Sequence, residues 1–242
     1  MASQRLQKIL SSAGYGSRRD CEKLISENLV CVNGKVANLG DQADPVNDKI
    51  TVFGKTIKIA SAPNTYIIIN KPINVLSDIK DHRGRKKIID LVDYPGYLFI
   101  VGRLDFKSEG LILLTDDGEI ANQLTHPRYE HQKEYHVLFN KKPTRQEIDK
   151  LRNGVKLRDG YTTLPADVKE LSTTPDGTWI EMTLKEGKKR QIREMGGALK
   201  LHVKRIIRTR IGPIDIGSLK PGEWRKLSPE EIGRLKRSCS LK

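Results

Sequence analysis

Arg103 and Asp105, with Lys107, Ser108 and Glu109 close behind, are the residues whose types and spacing could do chemistry. Their flanks decide what kind. Residues 97–101 and 111–114 are short apolar runs bounded by Gly102, Gly110 and Gly118, and they read as strands buried on both faces. An isolated carboxylate is very costly to bury, so Asp105 must be paired or hydrogen-bonded there. The stretch gives a carboxylate pinned on a rigid frame, with no metal-ligand spacing around it. A turn aspartate whose oxygens cap a neighbouring backbone N–H fits the same residues.

The elements around that stretch are set by the rest of the 242 residues. Lysine and arginine number 44 against 30 acidic residues, a net charge of +14 that points to a polyanion. The excess is uneven: residues 1–62 carry +3, residues 63–184 are balanced, and residues 185–242 carry +11. That asymmetry favours a nucleic-acid face over mere solubility. No apolar run approaches the ~20 residues of a membrane span, and the N-terminus lacks a signal-peptide core. Cys21, Cys31 and Cys239 are odd in number and form no Cys-x-x-Cys, which indicates neither a disulfide framework nor a zinc site. Aromatic residues make up only 5%, arguing against a grip on single strands by serial stacking.

Leu6, Ile9, Leu10 and Ala13 share one helical face, and Gly14 stops that helix. Ser17 reads as the N-cap of a second helix, with Asp20 closing a box and Leu24 and Ile25 buried. Arg18 and Arg19 then stand in a first turn, where the macrodipole disfavours cations, which suggests phosphate binding. Asn33-Gly34 between two short strands predicts a type I′ hairpin. Residues 49–59 add strand with a turn at Gly54, and residues 61–64 have linker composition. Beyond the linker, residues 80–87 form a basic loop whose lone His82 has no assigned role. A helix follows over residues 118–124. Residues 133–137 alternate as a strand, residues 144–153 read as an exposed helix, and residues 188–195 as a helix presenting Arg190 and Arg193 on neighbouring faces. Alternation over residues 203–211 puts Lys204, Arg208 and Arg210 on one basic sheet face suited to phosphate contacts.

Gly102-Arg103-Leu104-Asp105, followed by Ser108, Gly110, Leu111-Ile112-Leu113-Leu114-Thr115 and Asp117-Gly118, closely resembles the signature of the RsuA/RluB-type pseudouridine synthases. Ser108 stands where that family usually has threonine, which keeps the hydroxyl. Asn70-Lys71-Pro72 is similar to a second family motif, with Asn74 in place of its usual glycine. Lys133-x-Tyr135-x-Val137 and Glu186-Gly187-x-x-Arg190-Gln191-Ile192-Arg193 match two more, and residues 220–228 match its tail. Arg5-Leu6, Ser17-Arg18, Leu24-Ile25 and Val32-Asn33-Gly34 resemble the small RNA-binding domain named after ribosomal protein S4, over residues 4–50.

This resemblance implies an α+β protein with an S4-like RNA-binding domain at 1–62. A catalytic domain at 63–242 would carry a mixed, mostly antiparallel sheet. It implies isomerisation of uridine to pseudouridine in ribosomal RNA, large-subunit preferred and small-subunit as the alternative, without metal or cofactor. Asp105 would attack C1′ or remove the 2′ proton, with Arg193 as its counterion. Tyr135 would stack on the target base, and Arg103 would fill the vacated space or clamp a phosphate. Arg18, Arg19, Arg190, Lys204, Arg208 and Arg210 would hold RNA. The chain is expected to be a cytoplasmic monomer with no membrane partner, acting on ribosomal RNA or a pre-ribosomal particle. Two other classes remain open: a glycoside hydrolase using Asp116 or Asp117 as second carboxylate, and a non-catalytic ribosome-binding protein.

Overall fold

The structure is a computed structural model that describes residues 3–57, 63–79, 81 and 83–240. Lys58 and Ile59 of the expected strand, Ser61 and Ala62 of the expected linker, and Lys80 and His82 of the basic loop lie outside them. Contacts divide the chain into two compact units. One comprises residues 1–65 with 94–99 and 116–118, and the other holds the remainder.

The smaller unit contains β1 (Gln4–Arg5), α1 (Leu6–Ser12), α2 (Arg18–Ser26), β2 (Val30–Val32), β3 (Lys35–Val36), β4 (Gln42–Ala43), β5 (Ile50–Val52) and β6 (Lys55–Thr56). Leu6, Ile9, Leu10, Cys21 and Ile25 from the helices pack with Val30, Ile50 and Val52 from the strands in one core. Burial pushes the Cys21 thiol up to about 11, so it is a packing group rather than a nucleophile. At the start of α2, Ser17 and Asp20 exchange hydrogen bonds in a capping box. The β2–β3 turn takes φ of 51° at Asn33 and 81° at Gly34, the positive pair that a type I′ hairpin needs.

The larger unit is built on β7 (Tyr66–Lys71), β8 (Phe99–Val101, from Ile100 on), β9 (Glu109–Thr115), β10 (Lys133–Phe139), β11 (Asp167–Thr174), β12 (Gly177–Leu184), β13 (Val203–Ile211), β14 (Ile214–Asp215) and β15 (Trp224–Lys226). Its helices are α3 (Gly118–Thr125), α4 (Arg145–Asn153), α5 (Gln191–Ala198) and α6 (Pro229–Ser240). The main sheet runs β11-β12-β10-β13-β9-β7-β15, with β14 beside β13 and β8 beside β9. β13 and β9 pair in parallel, while β7, β10, β12, β14 and β15 meet their neighbours antiparallel. Tyr66, Ile68, Leu111 and Leu113 on one sheet face pack with Ile120 and Leu124 of α3 and Leu235 and Cys239 of α6. No helix among the described residues is long and apolar enough to cross a membrane.

Three sequence expectations need correction. Residues 97–101 are not a strand buried on both faces. The strand begins at Phe99, pairs among the described residues with β9 alone, and leaves Phe99 and Ile100 half-buried. The helix expected at residue 188 begins at Gln191, because Arg190 sits in left-handed backbone at φ 57° and the Gln191 side chain accepts from the Lys188 N–H. The basic face expected on β13 does not form either. Register shifts between Glu134 and Tyr135, and between Leu138 and Phe139, break the alternation. Arg208 therefore pairs with Tyr135 and turns inward, while Arg210 pairs with Glu134 on the opposite face.

Candidate active site

Asp105 lies in the loop between β8 and β9, and the loop is held at every carbonyl from Leu104 to Ser108. Ser77 Oγ donates to Leu104 O at 2.9 Å and accepts from Leu104 N at 3.1 Å. The Ser108 N–H closes a turn onto Asp105 O at 3.0 Å, and the Asn74 N–H donates to Phe106 O at 2.8 Å. Arg193 Nη2 donates to Lys107 O at 3.2 Å, and Lys71 Nζ to Ser108 O at 2.8 Å. Buried backbone groups are costly when unpaired, and five anchored carbonyls fix this loop tightly. Gly110 is required at its end: at φ 109°, a Cβ would stand 2.3 Å from Arg208 O.

The loop is rigid, yet the Asp105 carboxylate is left available. Asp105 is half-buried, and among the described residues none donates a hydrogen bond to its carboxylate. It lines a cavity of about 440 Å³ with Arg103, Tyr135, Leu184, Arg190 and Ile206. Tyr135 is 8% exposed, so its ring forms a wall of that cavity and is otherwise buried in β10.

Two cations sit under the loop. Arg193 donates to Val203 O at 3.0 Å and to Lys107 O, which uses its fork on backbone carbonyls. Burial and Arg190 pull its pKa down, and Asp105 pulls it back up, so the carboxylate acts on it through space. The expected direct pairing of Arg193 with Asp105 is thus absent among the described contacts. Lys71 is fully buried, with Nζ donating to Pro72 O at 2.9 Å and to Ser108 O. Desolvation lowers its pKa to about 8 against the pull of Glu109 and Asp105. Glu109 is itself gripped by the Arg205 guanidinium at 3.0 and 3.1 Å.

The other sequence-derived positions scatter. Arg103 and Arg190 are exposed at the cavity rim. Arg18 and Arg19 are exposed on the first turn of α2, in the smaller unit. Lys204 is exposed and donates to Asp176 O at 2.6 Å. Arg210 is committed to Glu134 at 2.7 Å, and Arg208 is buried. Residues that the sequence did not mark as functional do much of the positioning. Ser77 carried no signal, whereas Lys71 stood in a recognisable Asn-Lys-Pro run. On the opposite sheet face Glu134, His136 and Glu181 place potential ligand atoms within 4.8 Å of one another. Glu134 already accepts from Thr209 and Arg210.

Residues 65–196, which span the loop, Tyr135 and Arg193, match the family model for RNA pseudouridylate synthases. The chain belongs to that family. Residues 4–50 match the S4 domain model, so this synthase has the α+β architecture of an S4 domain followed by a synthase fold. It is 40% identical over 245 residues to an uncharacterized RNA pseudouridine synthase of Aquifex aeolicus, covering 100% of this chain and 97% of that one. It is 37% identical to the ribosomal large subunit pseudouridine synthase B of Bacillus subtilis, covering 96% of each. Among solved structures, a pseudouridylate synthase superposes with a TM-score of 0.68 at 28% identity, covering 96% of this chain and 100% of that one.

Proposed function

We propose that this synthase converts uridine to pseudouridine in ribosomal RNA of the large subunit, with Asp105 as the catalytic carboxylate. The observation that carries the assignment is the loop itself: five anchored carbonyls hold an aspartate whose own oxygens stay unengaged beside a cavity. Catalysis rewards a reacting group held in place before substrate arrives. The large-subunit target is supported by relatives with that name at 37–38% identity over nearly the whole chain.

In the reaction the C1′–N1 bond of the target uridine breaks and a C1′–C5 bond forms. C5 loses a proton and N1 gains one, so nothing is oxidised and no bond order changes overall. The target base first leaves its stack, at a cost of a few kcal/mol. Tyr135 then faces the uracil, which keeps the detached base in the cavity while it turns. Asp105 acts on the ribose, and Arg103 at the rim takes the space or phosphate beside it. Arg193 and Lys71 hold the loop and supply positive field beneath the carboxylate. Domain boundaries at 1–62 and 63–242 make the S4 domain, with Arg18 and Arg19, a separate anchor on RNA. We place the reaction in the cytosol.

The test is tritium release from 5-tritiated uridine in a large-subunit ribosomal RNA transcript. Release with one pseudouridine formed per tritium lost is expected. Stable binding with no release from either large- or small-subunit RNA would leave an RNA-binding protein instead.

A further inference from the structure

A buried cation needs an anion or full hydrogen bonding, because its desolvation is expensive. Arg205 and Arg210 on β13 each hold a glutamate. Arg208 between them does not. It is 2% exposed, and its Nε donates to Leu111 O at 2.7 Å. Among the described residues its Nη2 has no hydrogen-bond partner.

The space beside it is suited to an anion. Arg208 lines a partly open cavity of about 130 Å³ with Arg103, Lys133, Tyr135 and Lys185. Glu186 also lines it, but its carboxylate is taken: Oε1 accepts from Gln191 Nε2 and Leu164 N, and Oε2 from the Tyr161 hydroxyl. The volume is well above the ~10–15 Å³ that one water requires. Arg103, Tyr135 and Gly187 line both this cavity and the one around Asp105, so the two adjoin.

We propose that this cavity is a phosphate subsite that takes a phosphate of the RNA strand next to the target uridine, with Arg208 as its buried anchor. The identification of the strand rests on the synthase reading, whereas the phosphate chemistry rests on Arg208 and its neighbours. A guanidinium presents a fork that matches phosphate oxygens, and it gains most where water is excluded. A uridine lying against Tyr135 on the Asp105 side would send its chain past Arg103, which also lines both cavities.

The experiment compares wild type with Arg208→Met, which keeps much of the length and removes the charge. Thermal unfolding of the full chain is followed against inorganic phosphate, with chloride at matched ionic strength. Phosphate salts also stabilise proteins generally, so the readout is the difference between the two proteins. Affinity for a large-subunit ribosomal RNA transcript is measured in parallel over a range of salt. The expected result is extra phosphate protection in wild type only. RNA affinity should fall about 10–100-fold in the variant, the equivalent of charge-assisted hydrogen bonds lost. The salt slope should also become shallower by about one contact, ~0.7–0.9. Phosphate protection lost in the variant with RNA affinity unchanged would overturn the RNA source and leave a free phosphate or nucleotide as ligand. No phosphate difference and no RNA difference would overturn the subsite altogether. If Arg208→Met does not fold, Arg208→Lys serves: a retained but weaker phosphate protection is expected, and its equality with wild type would count against a forked anchor. The phosphate arm needs no turnover, so it stands or falls separately from tritium release.

Discussion

Ser77→Ala removes one oxygen and strips Leu104 of both its backbone partners. The hydroxyl donates to Leu104 O and accepts from Leu104 N, and Ser77 is 7% exposed. Each buried group left unpaired costs about 1–3 kcal/mol. The pair therefore sums to roughly 2–6 kcal/mol, and a water entering the vacated space recovers part of it, leaving about 2–4 kcal/mol. For a unit of this size that lowers the unfolding midpoint by about 4–16 °C. Loosening the loop also displaces Asp105, and a misplacement of ~1 Å at a reacting group costs on the order of 10²-fold in rate. Differential scanning calorimetry of the full chain reads the first effect, and single-turnover tritium release at saturating enzyme reads the second. RNA affinity should stay within about twofold, because phosphate contacts rather than this buried hydroxyl dominate binding. A variant with wild-type midpoint and wild-type rate would refute the claim that Ser77 holds the loop.

Arg193→Leu should slow turnover severely, since Lys107 O loses its donor and the loop that carries Asp105 loses an anchor and a cation beneath it. Arg193→Lys should recover part of the rate, and a wild-type single-turnover rate in the leucine variant would take Arg193 out of the site. Lys71 predicts a pH-dependent stability. Its folded pKa of about 8 lies below the roughly 10.4 of an unfolded lysine, so the unfolded chain holds more protons in between. The cost of its buried charge is fully present below about pH 8, and stability rises with pH from there to about 10.4, by an order of 3 kcal/mol. Urea unfolding from pH 7 to 10 should show that slope in wild type and a flatter one in Lys71→Met; parallel curves would contradict it. Deleting residues 1–62 should weaken RNA binding by about 10²–10⁴-fold through lost effective concentration. The single-turnover rate on bound RNA should change little, and its abolition in a folded truncated protein would make the small domain part of the catalytic site.

Much of the scaffold was legible because its signals are local. The Ser17–Asp20 box, the Asn33-Gly34 turn and the glycine-bounded apolar run of β9 each draw on residues a few positions apart. The Asp105 loop could be located in the same way, since Gly102 and Gly110 mark backbone that other residues adopt with strain. How that loop is held was not legible. Ser77 lies 27 residues from Leu104, and Lys71 lies 37 from Ser108. Such partners are chosen by the fold and leave no pattern along the chain. Arg208 and Arg210 were misread for a related reason. A strict two-residue alternation ignores bulges, and the shift opposite Tyr135 sends one arginine into the core and the other to Glu134. Arg190 was misread because a left-handed turn at a non-glycine residue looks, in sequence, like the first turn of a helix.

In the proposed reaction an unengaged Asp105 carboxylate on this anchored loop performs the isomerisation. Asp105→Asn keeps the shape of the side chain and removes its charge, so it isolates that role from folding and from RNA contacts elsewhere. The decisive measurement is single-turnover tritium release from 5-tritiated ribosomal RNA, with RNA affinity measured on the same preparation. No detectable release is expected, with affinity within about twofold of wild type because distant phosphate contacts carry binding. Release near the wild-type rate would contradict that role for Asp105.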